Sequence, residues 1–92
     1  MEATLYTSAS YSQAKSLERE RKYDEAILLY ESIIEKDTVN IGLFIRLGEL
    51  YESIHLIDKA VSTYKKGIAF AQKIKNKKAE RFLSFTLLGL VD

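Results

Sequence analysis

Apolar residues recur every three or four positions through most of the 92-residue chain. One stripe runs from Ala26 to Ile34, and another runs from Phe44 to Tyr51. This spacing places apolar side chains on one face of a helix, whereas the strict alternation that is typical of strands is missing. The pattern predicts an all-α protein with five helices, at residues 7–21, 23–36, 41–53, 57–74 and 78–91.

Short polar segments separate the predicted helices. The segment "DTVN" at 37–40 gathers turn-forming residues and offers Asn40 as a cap for the third helix. The segment "SIHLID" at 53–58 ends the third helix, and Asp58 puts a carboxylate where the helix dipole favours one. The segment "NKK" at 76–78 is the remaining break, and no proline occurs anywhere in the chain.

The chain also repeats itself with a period of 34 residues. Residues 7–40 placed on residues 41–74 give five identities: Glu18 with Glu52, Asp24 with Asp58, Ala26 with Ala60, Tyr30 with Tyr64, and Ile34 with Ile68. Glycine or alanine at positions 14, 26, 48 and 60 leaves room for two helices to approach closely, and nearby aromatic residues fill the gaps. We therefore interpret the repeat first as packing between stacked helix pairs.

Two helices in a 34-residue unit resemble the tetratricopeptide repeat. The second unit carries the resemblance best, with an aromatic residue, a Leu-Gly pair and a tyrosine in its first helix, and a small, an aromatic and a small residue in its second: Phe44, Leu47, Gly48 and Tyr51, then Ala60, Tyr64 and Gly67. The first unit matches at Ala14, Leu17, Ala26 and Tyr30 and departs from the pattern at Ser10, Gln13 and Ile33. Neither unit has the proline that often ends the repeat.

A partial third unit follows. Its Leu88-Gly89 pair lies 41 residues after Leu47-Gly48, so the second helix of the second unit is predicted to be longer than usual. The resemblance implies one domain over residues 1–92, built of antiparallel helix hairpins stacked as a right-handed superhelix. Its predicted parts are unit one at 7–40, unit two at 41–77, and a partial or capping unit at 78–92.

The same resemblance implies a function in protein binding. Members of the family typically receive a peptide or protein partner on the concave face that the first helices form. Carried onto this sequence, that face comprises Tyr11, Lys15, Glu18, Arg19, Ile45, Arg46, Glu49 and Glu52. The residues with which one subset of the family holds chaperone tails are not present, so a chaperone tail is not the expected partner.

No group of residues in the sequence predicts catalysis. The only histidine, His55, follows Glu52 by three residues, which is half of a di-iron helix motif. A metal site of that kind needs a second copy, and we interpret His55 as part of a turn between helices. Phosphate-binding loops, nucleophile motifs and cysteine are also missing from the sequence. We expect neither an enzyme nor a cofactor or metal.

Charge is divided unevenly along the chain. Residues 1–64 carry a net charge of −4 and residues 65–92 a net charge of +5. The basic residues at 65–81 make a polyanion such as nucleic acid a third candidate partner, which we rank last. Basic residues near the end of a long helix also suit its dipole, and exposed aromatic residues for base stacking are not interleaved with them.

The last helix is apolar on two faces. We predict that Phe82, Phe85 and Leu88 close onto the second unit, where Gly67 permits a close approach. The second stripe would then be uncovered and would self-associate, most simply as a homodimer; it comprises Leu83, Leu87, Leu90 and Val91. The alternative is that the chain stops inside a longer array of repeats.

The segments that direct a protein to a membrane or to secretion are not recognisable in the sequence. The polar N-terminus does not have the pattern of a secretory signal, and the apolar runs are too short to span a bilayer. We therefore expect a cytoplasmic protein without a membrane partner.

Overall fold

The computed structural model describes the backbone of residues 2–36 and 41–91 and the side chains of residues 10–35 and 41–90. Every regular element in those residues is an α-helix: α1 (Glu2–Arg19), α2 (Tyr23–Lys36), α3 (Ile41–Ser53), α4 (Ile57–Lys73) and α5 (Lys77–Val91). The predicted all-α fold with five helices is therefore confirmed for this part of the chain. Among the described helices, none combines the length and the apolar content that crossing a bilayer requires.

Most helix boundaries agree with the periodicity. Helices α2 and α3 have the predicted ends, and α4 and α5 differ from prediction by one residue at Lys73 and Lys77. The prediction for α1 is wrong at both ends, because the helix begins at Glu2 instead of residue 7 and ends at Arg19 instead of residue 21. Its first turn contains good helix formers and no glycine or proline, so nothing in it stops the helix from starting early. The predicted cap Asn40 lies outside the described residues.

The same three-residue turn joins α1 to α2, α3 to α4, and α4 to α5. Its middle residue is left-handed in each case, with φ of 62° at Arg21, 64° at His55 and 59° at Lys75. The amide of the next residue donates a hydrogen bond to the carbonyl five residues earlier, which is the Schellman arrangement that ends a helix. The three bonds are Lys22 to Leu17 (2.9 Å), Leu56 to Tyr51 (2.8 Å) and Asn76 to Ala71 (2.8 Å).

The third of these turns also starts the following helix. The side-chain oxygen of Asn76 accepts a hydrogen bond from the amide of Ala79 at 3.0 Å. This satisfies one of the amides that a helix N-terminus leaves without a partner. The capping role of Asn76 explains why α5 begins at Lys77.

The helices form two compact units. In unit 1 (Met1–Asn40), α1 packs against α2; in unit 2 (Ile41–Asp92), α3 packs against α4, and α4 packs against α5. The buried apolar residues are Ala14, Ala26, Ile27, Tyr30 and Ile33 in unit 1, and Leu43, Phe44, Leu47, Leu50, Tyr51, Ala60, Tyr64, Ala71 and Leu83 in unit 2. The grouping of residues 1–92 into one domain stays a prediction.

Small residues lie where the helices of a pair come closest. Ala14, Ala26 and Ala60 are fully buried. A Cβ atom added at Gly48 would overlap the ring of Tyr64, so α3 and α4 can be this close only because position 48 has no side chain. The interpretation of these positions as packing sites agrees with their burial.

The predicted orientation of α5 is wrong. Leu83 is fully buried, and its methyl group Cδ1 lies 3.0 Å from where a Cβ atom at Gly67 would be. The stripe that was predicted to pack inwards points to solvent instead, with Phe85 73% exposed. The close approach at Gly67 accommodates a leucine methyl group, and the larger phenylalanine rings lie on the opposite side.

Candidate protein-binding surfaces

Helix α1 supplies the first group of predicted binding residues. The ring of Tyr11 meets the ring of Tyr30 edge to face, with centroids 5.9 Å apart and an interplanar angle of 68°. The Lys15 ammonium nitrogen lies 5.4 Å from the centroid of the Tyr11 ring, which favours a cation–π contact. Contact with α2 therefore positions Tyr11, and Tyr11 in turn positions the exposed side chain of Lys15.

Two of the predicted binding residues are held by tyrosines of their own unit. The hydroxyl of Tyr30 donates a hydrogen bond to the carboxylate of Glu18. The hydroxyl of Tyr64 donates to the carboxylate of Glu52 at 2.5 Å. Both pairs link the first helix of a unit to the second, and their members are identical residues at the 34-residue period. We infer that Glu18 and Glu52 position the helices and are not primarily contacts for a partner.

The environment of Tyr64 stabilises its protonated hydroxyl. Burial raises the pKa of Tyr64 well above its ordinary value of about 10. The hydrogen bond to Glu52 and the negative charges of Glu52 and Glu49 raise this pKa further. An ionised Tyr64 would lose its role as a donor and would face a carboxylate, so the contact depends on the neutral phenol.

Helix α3 supplies the second group. Ile45 and Arg46 are half-buried and Glu49 is exposed. A guanidinium nitrogen of Arg46 lies 3.8 Å from a carboxylate oxygen of Glu49. An ion pair this exposed contributes little to stability. On α1, the guanidinium of exposed Arg19 donates a hydrogen bond to the hydroxyl of Ser16 at 3.1 Å.

The described residues do not assemble a metal site. No three histidine, cysteine, aspartate or glutamate side chains among them converge as metal ligands would. His55 lies in the turn between α3 and α4, as interpreted from the sequence, and Glu52 accepts the Tyr64 hydrogen bond.

The solved structures that resemble this chain include an NMR structure and a crystal structure. Both are of a tetratricopeptide repeat domain protein from Salinibacter ruber, one determined by NMR in solution and one by crystallography. The NMR structure matches with a TM-score of 0.83 and 27% identity, over 91% of this chain and 85% of its own. The crystal structure matches with a TM-score of 0.77 and 27% identity, over 91% of this chain and 94% of its own.

The chain is a tetratricopeptide-like protein. The fold that the 34-residue period predicts is thereby confirmed. No family model matches the chain, and no curated protein matches it. A tetratricopeptide-like fold indicates a protein-interaction module in general, and proteins with this fold are typically non-catalytic scaffolds.

One surface of this tetratricopeptide-like protein was missed in the sequence. Phe82, Phe85 and Leu88 on α5 are exposed, whereas the stripe predicted to self-associate contains the fully buried Leu83 and the half-buried Leu87 and Leu90. The side chain of Val91 lies outside the described residues. The signal was Gly67, which the sequence analysis assigned to the wrong stripe, because the short distance that it permits favours a leucine opposite it over a phenylalanine ring.

Proposed function

We propose that this protein binds a peptide or protein partner, without catalysis, through the first helices of its units. The observation that carries the proposal is the tetratricopeptide-like fold, which indicates an interaction module. The proposed concave face retains the residues predicted from the sequence: Tyr11, Lys15, Glu18, Arg19, Ile45, Arg46, Glu49 and Glu52. Within it, the tyrosine bonds of Glu18 and Glu52 favour a positioning role for these two carboxylates.

The remaining residues of the face offer several kinds of contact. Lys15 provides an exposed positive charge held beside an aromatic ring. Ile45 provides partly exposed apolar area, and Arg46 and Glu49 provide charges of both signs. Within unit 2, the apolar area of Ile45 beside charges of both signs favours a partner peptide that combines a carboxylate with an apolar side chain, because arginine binds carboxylates with good geometry.

The proposal can be tested with a displayed library of random dodecapeptides, selected on the immobilised full chain. Selected peptides are then synthesised, and their dissociation constants are measured for the unmodified protein and for Lys15→Ala and Arg46→Ala. We expect each substitution to weaken binding by roughly tenfold, about the effect of losing one charged hydrogen bond. Lys66→Ala, on the exposed surface of α4, is the matched control and should bind as the unmodified protein does.

Two results would contradict the proposal. If selection yields no peptide that binds in solution, the assignment of a peptide-binding function is wrong. If peptides bind the Lys15→Ala and Arg46→Ala variants as tightly as the unmodified protein, the function stands, but the first helices are not the site.

A further inference from the structure

The outer face of α5 groups three of the exposed large apolar side chains among the described residues. Phe82, Phe85 and Leu88 are 51%, 73% and 54% exposed, and their spacing places them along one side of the helix. Gly89 continues this face, and a Cβ atom added there would meet nothing within 4 Å. Large apolar side chains grouped in this way mark an interaction site more often than isolated ones do.

Helix α3 has the same residue types at equivalent positions, and there they are buried. A shift of 41 residues places Phe44, Leu47 and Gly48 on Phe85, Leu88 and Gly89. In α3 the three residues are buried, the centroid of the Phe44 ring lies 5.9 Å from that of Phe70 on α4, and the Tyr64 ring lies over Gly48. Helix α5 therefore presents the surface on which α3 binds α4, without a described helix of its own chain upon it.

The charge around this surface indicates what can cover it. Exposed Lys77, Lys78 and Arg81 precede the apolar residues, at the N-terminal end of the helix. Lys77 and Arg81 line a shallow groove of about 350 Å³ together with Glu80, Ser84, Phe85 and Leu88. The carboxylate of Glu80, the one acidic group in this lining, accepts a hydrogen bond from the Gln72 amide of α4 at 2.9 Å. The groove thus joins a basic end to an apolar end.

We propose that the outer face of α5 binds an amphipathic helix of another protein, with an apolar stripe and an acidic C-terminal half. Helices joined by a three-residue turn run antiparallel, so α4 lies antiparallel on α3, and a helix on the equivalent face of α5 takes the same direction. That direction brings its C-terminal half beside Lys77, Lys78 and Arg81. Acidic side chains and the negative end of the helix dipole both suit this position. The inference goes beyond the proposed function, because it concerns a different helix and a second kind of partner.

A displayed library of amphipathic helices tests the proposal. The library keeps one apolar stripe and randomises the other positions among Asp, Glu, Lys, Arg, Ser and Gln, and it is selected on the full chain. We expect the recovered helices to carry acidic residues in their C-terminal halves. Synthetic copies of them should bind Phe85→Ala and Leu88→Ala at least tenfold more weakly than the unmodified protein, and K77E/R81E likewise. Exchanging the acidic residues of the peptide for lysine should restore binding to K77E/R81E.

Control variants keep the result separate from folding and from the proposed function. Phe85 and Leu88 are mostly exposed, so their replacement should leave the circular dichroism spectrum unchanged. Leu28→Ala removes an equally exposed apolar side chain from α2 and should not affect binding. Arg46→Ala should leave the affinity for these helices unchanged, whereas it should weaken the binding of the dodecapeptides selected to test the proposed function.

Four outcomes would overturn the proposal. The first is the recovery of no helix, or of helices without an acidic bias. The second is binding that Phe85→Ala and Leu88→Ala do not weaken. The third is a protein that is dimeric alone and becomes monomeric on Phe85→Glu, because the face then belongs to a second copy. The fourth is that no helix binds but a fluorescent single-stranded oligonucleotide does, with binding that K77E/R81E abolishes and Phe85→Ala leaves unchanged. The basic end of α5 would then bind a polyanion.

Discussion

Gly48 and Gly89 follow a leucine in equivalent helices, yet their surroundings differ. A methyl group at Gly48 would overlap the ring of buried Tyr64, whose hydroxyl Glu52 fixes in place. We expect Gly48→Ala to lower the free energy of unfolding by about 1–3 kcal/mol through overpacking. The space at Gly89 is open, so Gly89→Ala should be neutral or stabilise by up to about 1 kcal/mol through helix propensity.

Urea unfolding followed by circular dichroism measures both glycine variants. The two substitutions add the same methyl group to a helix, so the difference between them isolates the close approach of α3 and α4. Equal effects at the two positions would show that Gly48 is not needed for this packing.

The hydroxyl of Tyr64 also predicts how stability depends on pH. Below about pH 10 the phenol is protonated in both the folded and the unfolded chain, so Tyr64 contributes no pH dependence to stability there. Above that value the unfolded chain loses this proton while the folded chain retains it, because the folded pKa is raised. The unfolded state then binds fewer protons, so the free energy of unfolding falls as pH rises.

We therefore expect Tyr64→Phe to reduce the loss of stability between about pH 9 and pH 11, although it lowers stability at neutral pH by about 0.5–1.5 kcal/mol. Denaturant unfolding at a series of pH values measures this. Tyr23→Phe, at a half-buried position at the start of α2, is the matched control. A Tyr64→Phe variant that loses stability as steeply as the unmodified protein would contradict the assignment.

At the scale of the elements, three turns share a left-handed residue that is not glycine. An L-residue in this conformation costs about 1–2 kcal/mol, whereas glycine adopts it freely but loses more entropy on folding. The difference predicts that His55→Gly stabilises the protein by up to about 1 kcal/mol, while His55→Val destabilises it by about 1–2 kcal/mol.

Thermal unfolding provides the measurement for these turn variants. Lys66→Gly, in the middle of α4 and exposed, is the control and should cost about 1 kcal/mol, as glycine does inside a helix. If His55→Gly destabilises the protein as much as Lys66→Gly does, the left-handed turn does not carry the expected strain.

The helices also show how much of the fold and of the candidate site can be predicted from the sequence. Periodicity located α2 and α3 to the residue, and the period of 34 related Glu18 to Glu52 and Tyr30 to Tyr64. It did not predict that these residues bond to each other, because a hydrogen bond between two helices depends on their separation, which the pattern does not contain. For α5, apolar residues on two faces are compatible with either rotation, and the predicted rotation was wrong, because the short distance at Gly67 accommodates Leu83.

At the scale of the whole molecule, the separation of charge has a consequence that the net charge conceals. The formal net charge is +1, but residues 65–92 alone carry +5. Lys77, Lys78 and Arg81 bring part of this charge to the end of the exposed face of α5. Two copies that meet through this face would place like charges within a helix length of each other, whereas an acidic helix would neutralise them.

The two candidate occupants of the α5 face, an acidic helix and a second copy of the chain, should therefore respond to salt in opposite ways. Raising sodium chloride from about 0.02 M to about 0.5 M shortens the Debye length several-fold, which weakens the binding of an acidic helix and relieves the repulsion between two copies. We expect the affinity for an acidic amphipathic peptide to fall at least tenfold over this range, measured by fluorescence anisotropy. Sedimentation of the protein alone should give a monomer at low salt, because the repulsion is then strongest. If the peptide affinity is unchanged by salt while a dimer already forms at low salt, charge does not select the occupant, and apolar contact alone must hold whatever covers Phe85 and Leu88.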